Sequence, residues 1–216
     1  MFRRFSYLVT VVILLSSCGT PQEGKVDVSE EKKSEVPAEN ESSNSTNEED
    51  LVLQEQSIIA ELSTFFLETG HSAHFEGSGN EFATLEQVTK WHSPDEVSVV
   101  ENNGGTQILR TYRLTKKGIF LLQERGEFYD EYSPTKEELD TLPETKLILP
   151  YPLPSTTQVD TPLKSFEQAY MVEEIAEDGS INRSYYVKNY GLVKREFIMP
   201  NDGEEMIISS SLKSIK

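Results

Sequence analysis

Few side chains in this 216-residue sequence are candidates for nucleophilic, acid/base or metal-binding roles. Cys18 is the only cysteine, so no internal disulfide can form. Its thiolate is the side chain most open to selective alkylation near neutral pH. His71 and His74 stand three apart beside Gly70, with His92 further on. Imidazoles at that spacing can share a zinc ion on a helix. Here the helical pattern has already ended and no Glu-x-x-His context accompanies them, so they read as polar residues at a helix-to-strand junction. The pairs Glu137-Glu138, Glu173-Glu174 and Glu204-Glu205 are adjacent, and neighbours on a strand point to opposite faces. They predict a solvated surface rather than a converging acid/base pair. Glu177-Asp178-Gly179 and Asp202-Gly203-Glu204-Glu205 lack the alternating oxygen ligands of a calcium loop and read as hairpin turns. No Gly-x-Ser-x-Gly elbow or P-loop occurs. The expectation is therefore a protein that is not an enzyme, with no catalytic residue, no metal and no cofactor. What remains is aromatic. Trp91, Tyr112, Tyr170, Tyr185 and Tyr186 are the candidate ligand contacts, because such rings pair apolar area with a polar tip. The competing reading is core packing and cross-strand pairing.

Those rings need a scaffold, and Cys18 needs a context. Arg3 and Arg4 precede the apolar run from Leu8 to Leu15, and small residues follow. That is the layout of a secretory signal peptide. The run is too short to cross ~30 Å of hydrocarbon as a permanent helix. Leu15-Ser16-Ser17-Cys18 resembles a bacterial lipoprotein box. The resemblance implies a diacylglyceryl cysteine at residue 18, carrying acyl chains such as palmitate, and cleavage before it. Two acyl chains give stable attachment where one gives marginal binding. The implied address is the extracytoplasmic face of the cell membrane, lipid-anchored, in a Gram-positive cell. Gly19 follows the cysteine, so no aspartate suggests inner-membrane retention.

Residues 18–50 form the next unit. They carry ten acidic residues against three lysines, Lys25, Lys32 and Lys33, and the polar run Ser42-Ser43-Asn44-Ser45-Thr46-Asn47. Such a composition offers too little apolar surface to offset ordering entropy and predicts a disordered tether. Over the whole chain the formal net charge is −17, which argues against nucleic acid as a partner.

Residues 51–216 read as one β-rich domain. Leu51, Ile58, Ile59, Leu62, Phe65 and Phe66 share one helical face, which predicts an amphipathic helix over Glu49–Glu68. Strands are expected at Ala73–Glu76, Glu81–His92, Val97–Val100, Gln107–Thr115 and Ile119–Leu122, with Ile108, Tyr112 and Leu114 on one face and a hairpin turn at Asn102-Asn103-Gly104-Gly105. Pro134 suits the first position of a short helix. Lys146–Pro154 carries prolines at 150, 152 and 154, and so reads as a stiff extended edge or crossover. Four more strands follow at Phe166–Glu174, Ile181–Lys188, Leu192–Met199 and Met206–Leu212. The expected class is α+β, mainly antiparallel β: a curved sheet or half-barrel of about eight strands, with the N-terminal amphipathic helix packed on it.

A set of motifs occurs in fixed order: Gly79-Asn80-Glu81-Phe82-Ala83, Asn103-Gly104-Gly105-Thr106, Tyr112, Leu147-Ile148-Leu149-Pro150, Tyr185-Tyr186-Val187-Lys188 and Gly191-Leu192-Val193-Lys194-Arg195-Glu196. Across residues 75–213 the chain resembles uncharacterised small lipoproteins of low-GC Gram-positive bacteria. It departs from them at Ser155-Thr156-Thr157-Gln158, where they carry a basic-Val-Gly-x-Trp stretch. The resemblance implies the address and no activity. The expected architecture is also similar to that of some bacterial lipid-carrier lipoproteins. The first functional reading is a membrane-anchored, non-catalytic binding or structural module with an envelope partner. The alternative is a carrier of a lipid or other hydrophobic ligand. A second alternative is a metal-dependent envelope enzyme using His71, His74 and His92.

Overall fold

The computed structural model describes residues 48–201 and 204–216. The signal peptide, the lipobox with Cys18, the tether up to residue 47 and the turn at Asp202-Gly203 lie outside the described residues. Among the described residues there are eleven strands: β1 (Ser72–Ser78), β2 (Leu85–Trp91), β3 (Glu96–Asn102), β4 (Gln107–Thr115), β5 (Gly118–Arg125), β6 (Lys146–Pro150), β7 (Thr156–Asp160), β8 (Ser165–Ile175), β9 (Ile181–Val187), β10 (Gly191–Asn201) and β11 (Glu204–Ile215). They form one antiparallel sheet in the order β6-β5-β4-β3-β2-β1-β11-β10-β9-β8-β7. The expectation of about eight strands is thus corrected to eleven. Part of the difference is β6 and β7. Pro150 is tolerated because β6 is an edge strand, where a missing N–H costs no ladder bond. β7 is short and polar and buries only Val159, so it has no alternation to read. Glu81–Ala83 is a 3-10 turn capped by the Asn80 side chain rather than the start of a strand, so β2 begins at Leu85.

The strand order and the sequence together force the sheet to curl. β6 and β7 stand at opposite ends of the sheet, yet only residues 151–155 join them. A flat sheet of this size would separate its edges by about 48 Å, at ~4.8 Å per strand. A connection of this length spans about 20 Å at most. The two edges therefore come close together and the sheet is a half-barrel. Ion pairs bridge the curl. Lys146 of β6 is bonded to Glu174 of β8, two strands from opposite ends of the order. Arg195 of β10 donates to both carboxylate oxygens of Glu101 on β3, at 3.1 and 3.2 Å, across the strands between them.

α1 spans Glu48–Ser63, starting one residue before and ending five residues before the expected Glu49–Glu68. Its first turn is acidic, through Glu48, Glu49 and Asp50, as the helix dipole favours. Leu62, wholly buried, and Phe65 just beyond the helix share a cluster with Val97, Leu114, Ile119 and Leu149. Glu61 accepts from Lys188 at 2.6 Å and from the Tyr151 hydroxyl at 3.3 Å. The Asn189 amide donates to the Thr64 carbonyl at 2.6 Å. Gly191 sits at φ +73, and a β-carbon there would lie 2.9 Å from the Phe65 carbonyl oxygen. The turn after β9 thus needs glycine for both its conformation and this close approach.

On the other face of β2–β5 a second, polar core is strapped down by residues 126–145, including α2 (Lys136–Asp140). Thr135 caps this helix, in a reciprocal box with Glu138. Pro134 therefore precedes the cap instead of opening the helix. Leu139 and Phe128 are buried here. Arg113 donates to buried Glu96 at 2.8 Å and to the Leu139 carbonyl at 2.8 Å. A chain of bonds runs from His92 through Ser98 and Thr111 to Gln123 and Tyr132.

Candidate ligand-binding groove

The two ends of the half-barrel differ. At one end, Leu62, Phe65 and Phe66 fill the interior against Leu114, Ile119, Leu149, Tyr151 and Leu153. Only about 60 Å³ stays empty there. The ring of Phe65 stands edge-on to Tyr170 at 5.4 Å, and Phe66 contacts Trp91 and Tyr112 at 5.7 and 5.4 Å. At the other end the interior opens as a groove of about 570 Å³. Position along the strand decides what lines it: residues two apart share a face, so Leu114 and Tyr112 look into the filled end while Arg110 looks into the open one, where Leu121, Lys146, Val172, Glu174 and Arg195 join it.

The groove floor is a buried charge cluster. Glu101 is 3% exposed. It accepts from Arg195, from Arg110 at 3.1 Å and from the Gln87 amide at 3.0 Å. Burial pushes the Glu101 carboxyl up, but Arg195 and Arg110 outweigh it and hold it below the usual carboxylate range. Arg110 also donates to Glu124 at the rim, and Arg183 holds Glu173 at 2.6 Å. The ionised groups here are bound to one another. Tyr112 and Tyr186 form the apolar wall, and burial raises both phenols, which keeps them protonated. A second groove of about 850 Å³ runs beside α1, lined by Ile59, Ala60, Phe66, Leu67, Trp91 and Pro94 with Glu68 and Asp95 at its margin.

The five candidate aromatic residues do not share one site. Tyr112 and Tyr186 line the 570 Å³ groove. Trp91 lines the groove beside α1 and donates its indole N–H to the Leu67 carbonyl at 2.9 Å. Tyr170 packs at the filled end. Tyr185 stands apart from them, in the cluster with Phe75, Phe166 and Leu212, with its hydroxyl on Glu196 at 3.2 Å. The three histidines do not converge. His74 lies 3.4 Å from Glu86, while His92 bonds Ser98 at 2.8 Å within the strapped face. Among the described residues no group of three or more His, Cys, Asp or Glu side chains is placed to hold a metal ion. Glu101, Arg110 and Arg195 escaped the sequence reading, although a signal was present. Glu101 continues the period-two face of Val97 and Val99, and Arg110 sits between Ile108 and Tyr112 on one face. Opposite charges on two such faces are a cue for a buried pair.

Comparison of the chain with protein-family models, with curated proteins and with solved structures finds no match.

Proposed function

We propose that this chain is a lipoprotein held by an acylated Cys18 on the extracytoplasmic face of a Gram-positive cell membrane, and that it is a non-catalytic binding module of the envelope. In this reading the acidic tether expected over residues 18–50, whose last three residues open α1, lifts the domain off the bilayer, and α1 is the amphipathic cover of one end of the half-barrel. The observation that supports a binding role is the half-barrel closed at one end by Leu62, Phe65 and Phe66 and open at the other as a groove of about 570 Å³. The groove charges are engaged with each other, which suits shaping a site rather than transferring protons. The kinship with uncharacterised low-GC Gram-positive lipoproteins belongs to the same proposal. Its test is metabolic labelling with a palmitate analogue, followed by membrane fractionation. Wild-type protein incorporates label and sediments with membranes, and Cys18→Ser does neither. A wild-type chain that stays unlabelled and soluble refutes the anchored reading.

The second reading, a carrier of hydrophobic ligands, is favoured by the apolar groove of about 850 Å³ beside α1. Native mass spectrometry of protein purified without detergent separates the two. A bound mass that organic solvent extracts supports the carrier.

A further inference from the structure

The half-barrel has an unfilled slot in its wall. β7 pairs with only the first half of β8: Asp160 meets Ser165 and Thr156 meets Tyr170. Among the described residues, Met171–Ile175 have no strand on that side. Across the gap stands β6, whose outer edge is likewise unpaired. Two strand edges without a strand partner therefore border one opening, and side chains of both strands line the 570 Å³ groove.

The ion pair sets an upper bound on the gap, and that bound admits one strand. Lys146 and Glu174 bridge it with a direct ion pair. Two such extended side chains together reach roughly 12 Å at standard bond lengths. One additional strand between two edges needs about 9.6 Å, twice the inter-strand spacing. The rim carries exposed apolar side chains, with Leu147 at 43%, Met171 at 38% and Ile175 at 67%. Exposed apolar edges are normally blunted, and the Lys146–Glu174 pair is the only guard that spans this slot among the described residues.

We infer that the groove takes an extended polypeptide segment, which enters between β6 and β8 as a twelfth strand and closes the barrel. This inference rests on the binding-module reading and names its partner class. A strand satisfies both free edges, which an acyl chain cannot do because it has no amide groups. Its alternate side chains point inward and meet Ile148, Val172, Tyr112 and Tyr186. At the mouth it displaces the Lys146–Glu174 contact, so the segment carries a carboxylate for Lys146 and a basic group for Glu174. The fitting sequence is therefore short, alternating in valine-like residues and mixed charges. Neither end of this slot needs a cofactor or a chemical step.

The test uses residues 18–216 with Cys18→Ser, which contain the whole compact unit from Ser45 to Lys216. The probe is a fluorescein-labelled peptide of about nine residues, alternating valine with lysine and glutamate, to cover a strand of ~30 Å. Fluorescence anisotropy is expected to show saturable binding. Methylating the alternate peptide nitrogens that face one edge is expected to weaken it at least tenfold. Lys146→Cys with Glu174→Cys, both at exposed positions and stapled by a short bismaleimide, is expected to abolish it. Binding that survives both the staple and methylation overturns the inference. So does saturable, staple-sensitive binding of a dansyl-undecanoate probe with none of the peptide, which transfers the groove to the carrier reading. Binding of neither probe also overturns it, while the Cys18 labelling result stands independently.

Discussion

Glu101→Ala puts the closure of the half-barrel to a quantitative test. The carboxylate is 3% exposed and holds β3 to β10 through Arg195 and to β4 through Arg110. Removing one partner of a buried pair costs about 3–5 kcal/mol, because the remaining charge is left uncompensated. Two features place this case at the low end, about 3 kcal/mol. The Arg195 side chain is 32% exposed and can recover some water, and Arg110 retains Glu124. With a urea slope of about 2 kcal/mol per molar, the unfolding midpoint shifts by about 1.5 M. The double variant Glu101→Leu with Arg195→Leu is expected to recover part of the loss, since the buried charge has gone. The dependence on pH has a definite sign. The folded carboxyl titrates below its ordinary value of 4.5. Its contribution is therefore complete above that value and fades as the pH falls through the folded value. Wild type and Glu101→Gln should differ at neutral pH and converge in acid. A midpoint within 0.3 M of wild type for Glu101→Ala, or a gap that widens in acid, would refute the account of closure.

Two further predictions concern other joints of the fold. Gly191→Ala forces a side chain into a left-handed conformation and toward the Phe65 carbonyl, so urea unfolding should show a loss of more than ~1 kcal/mol. Burial, helped by the nearby Lys90 charge, lowers the His92 pKa below 6.5 despite Glu96. The ring faces Ser98 and Tyr132, and its neutral form is the one the strapped face accommodates. Stability from His92 is thus complete above pH 6.5 and lost as the pH falls below it. Thermal melts between pH 7 and 5 should decline more steeply for wild type than for His92→Gln, and equal slopes would contradict this placement.

Much of the sheet was legible because its strands announce themselves. The four strands from Phe166 onward are marked by turns at Asp178-Gly179 and Asn189-Tyr190-Gly191, and the positive φ of Gly179, Asn189 and Gly191 shows why those residues stand there. β6 and β7 were harder to read. The prolines of Lys146–Pro154 marked an extended edge or crossover without showing a paired strand, and polarity hid β7; an edge strand needs apolar residues on only part of its length. For the charge cluster the sequence shows the inward faces of Glu101 and Arg110 but not their meeting with Arg195. Val97-Ser98-Val99 and Tyr112 disclose which face each strand buries, but the meeting of β3 with β10 depends on the curl of the whole sheet. The distribution of the aromatic candidates has the same origin. Tyr185 and Tyr186 are adjacent, so the pleat sends them to different clusters.

Hydrogen–deuterium exchange reads the slot edges themselves. Without ligand, the slot-facing amides of residues 146–149 and 171–175 should exchange much faster than those of β3, which is paired on both sides. Saturating valine-alternating peptide should protect both segments together and leave the groove beside α1 unchanged. Protection of neither segment, or protection confined to residues 56–69 and 91–95, would contradict the slot as the binding site.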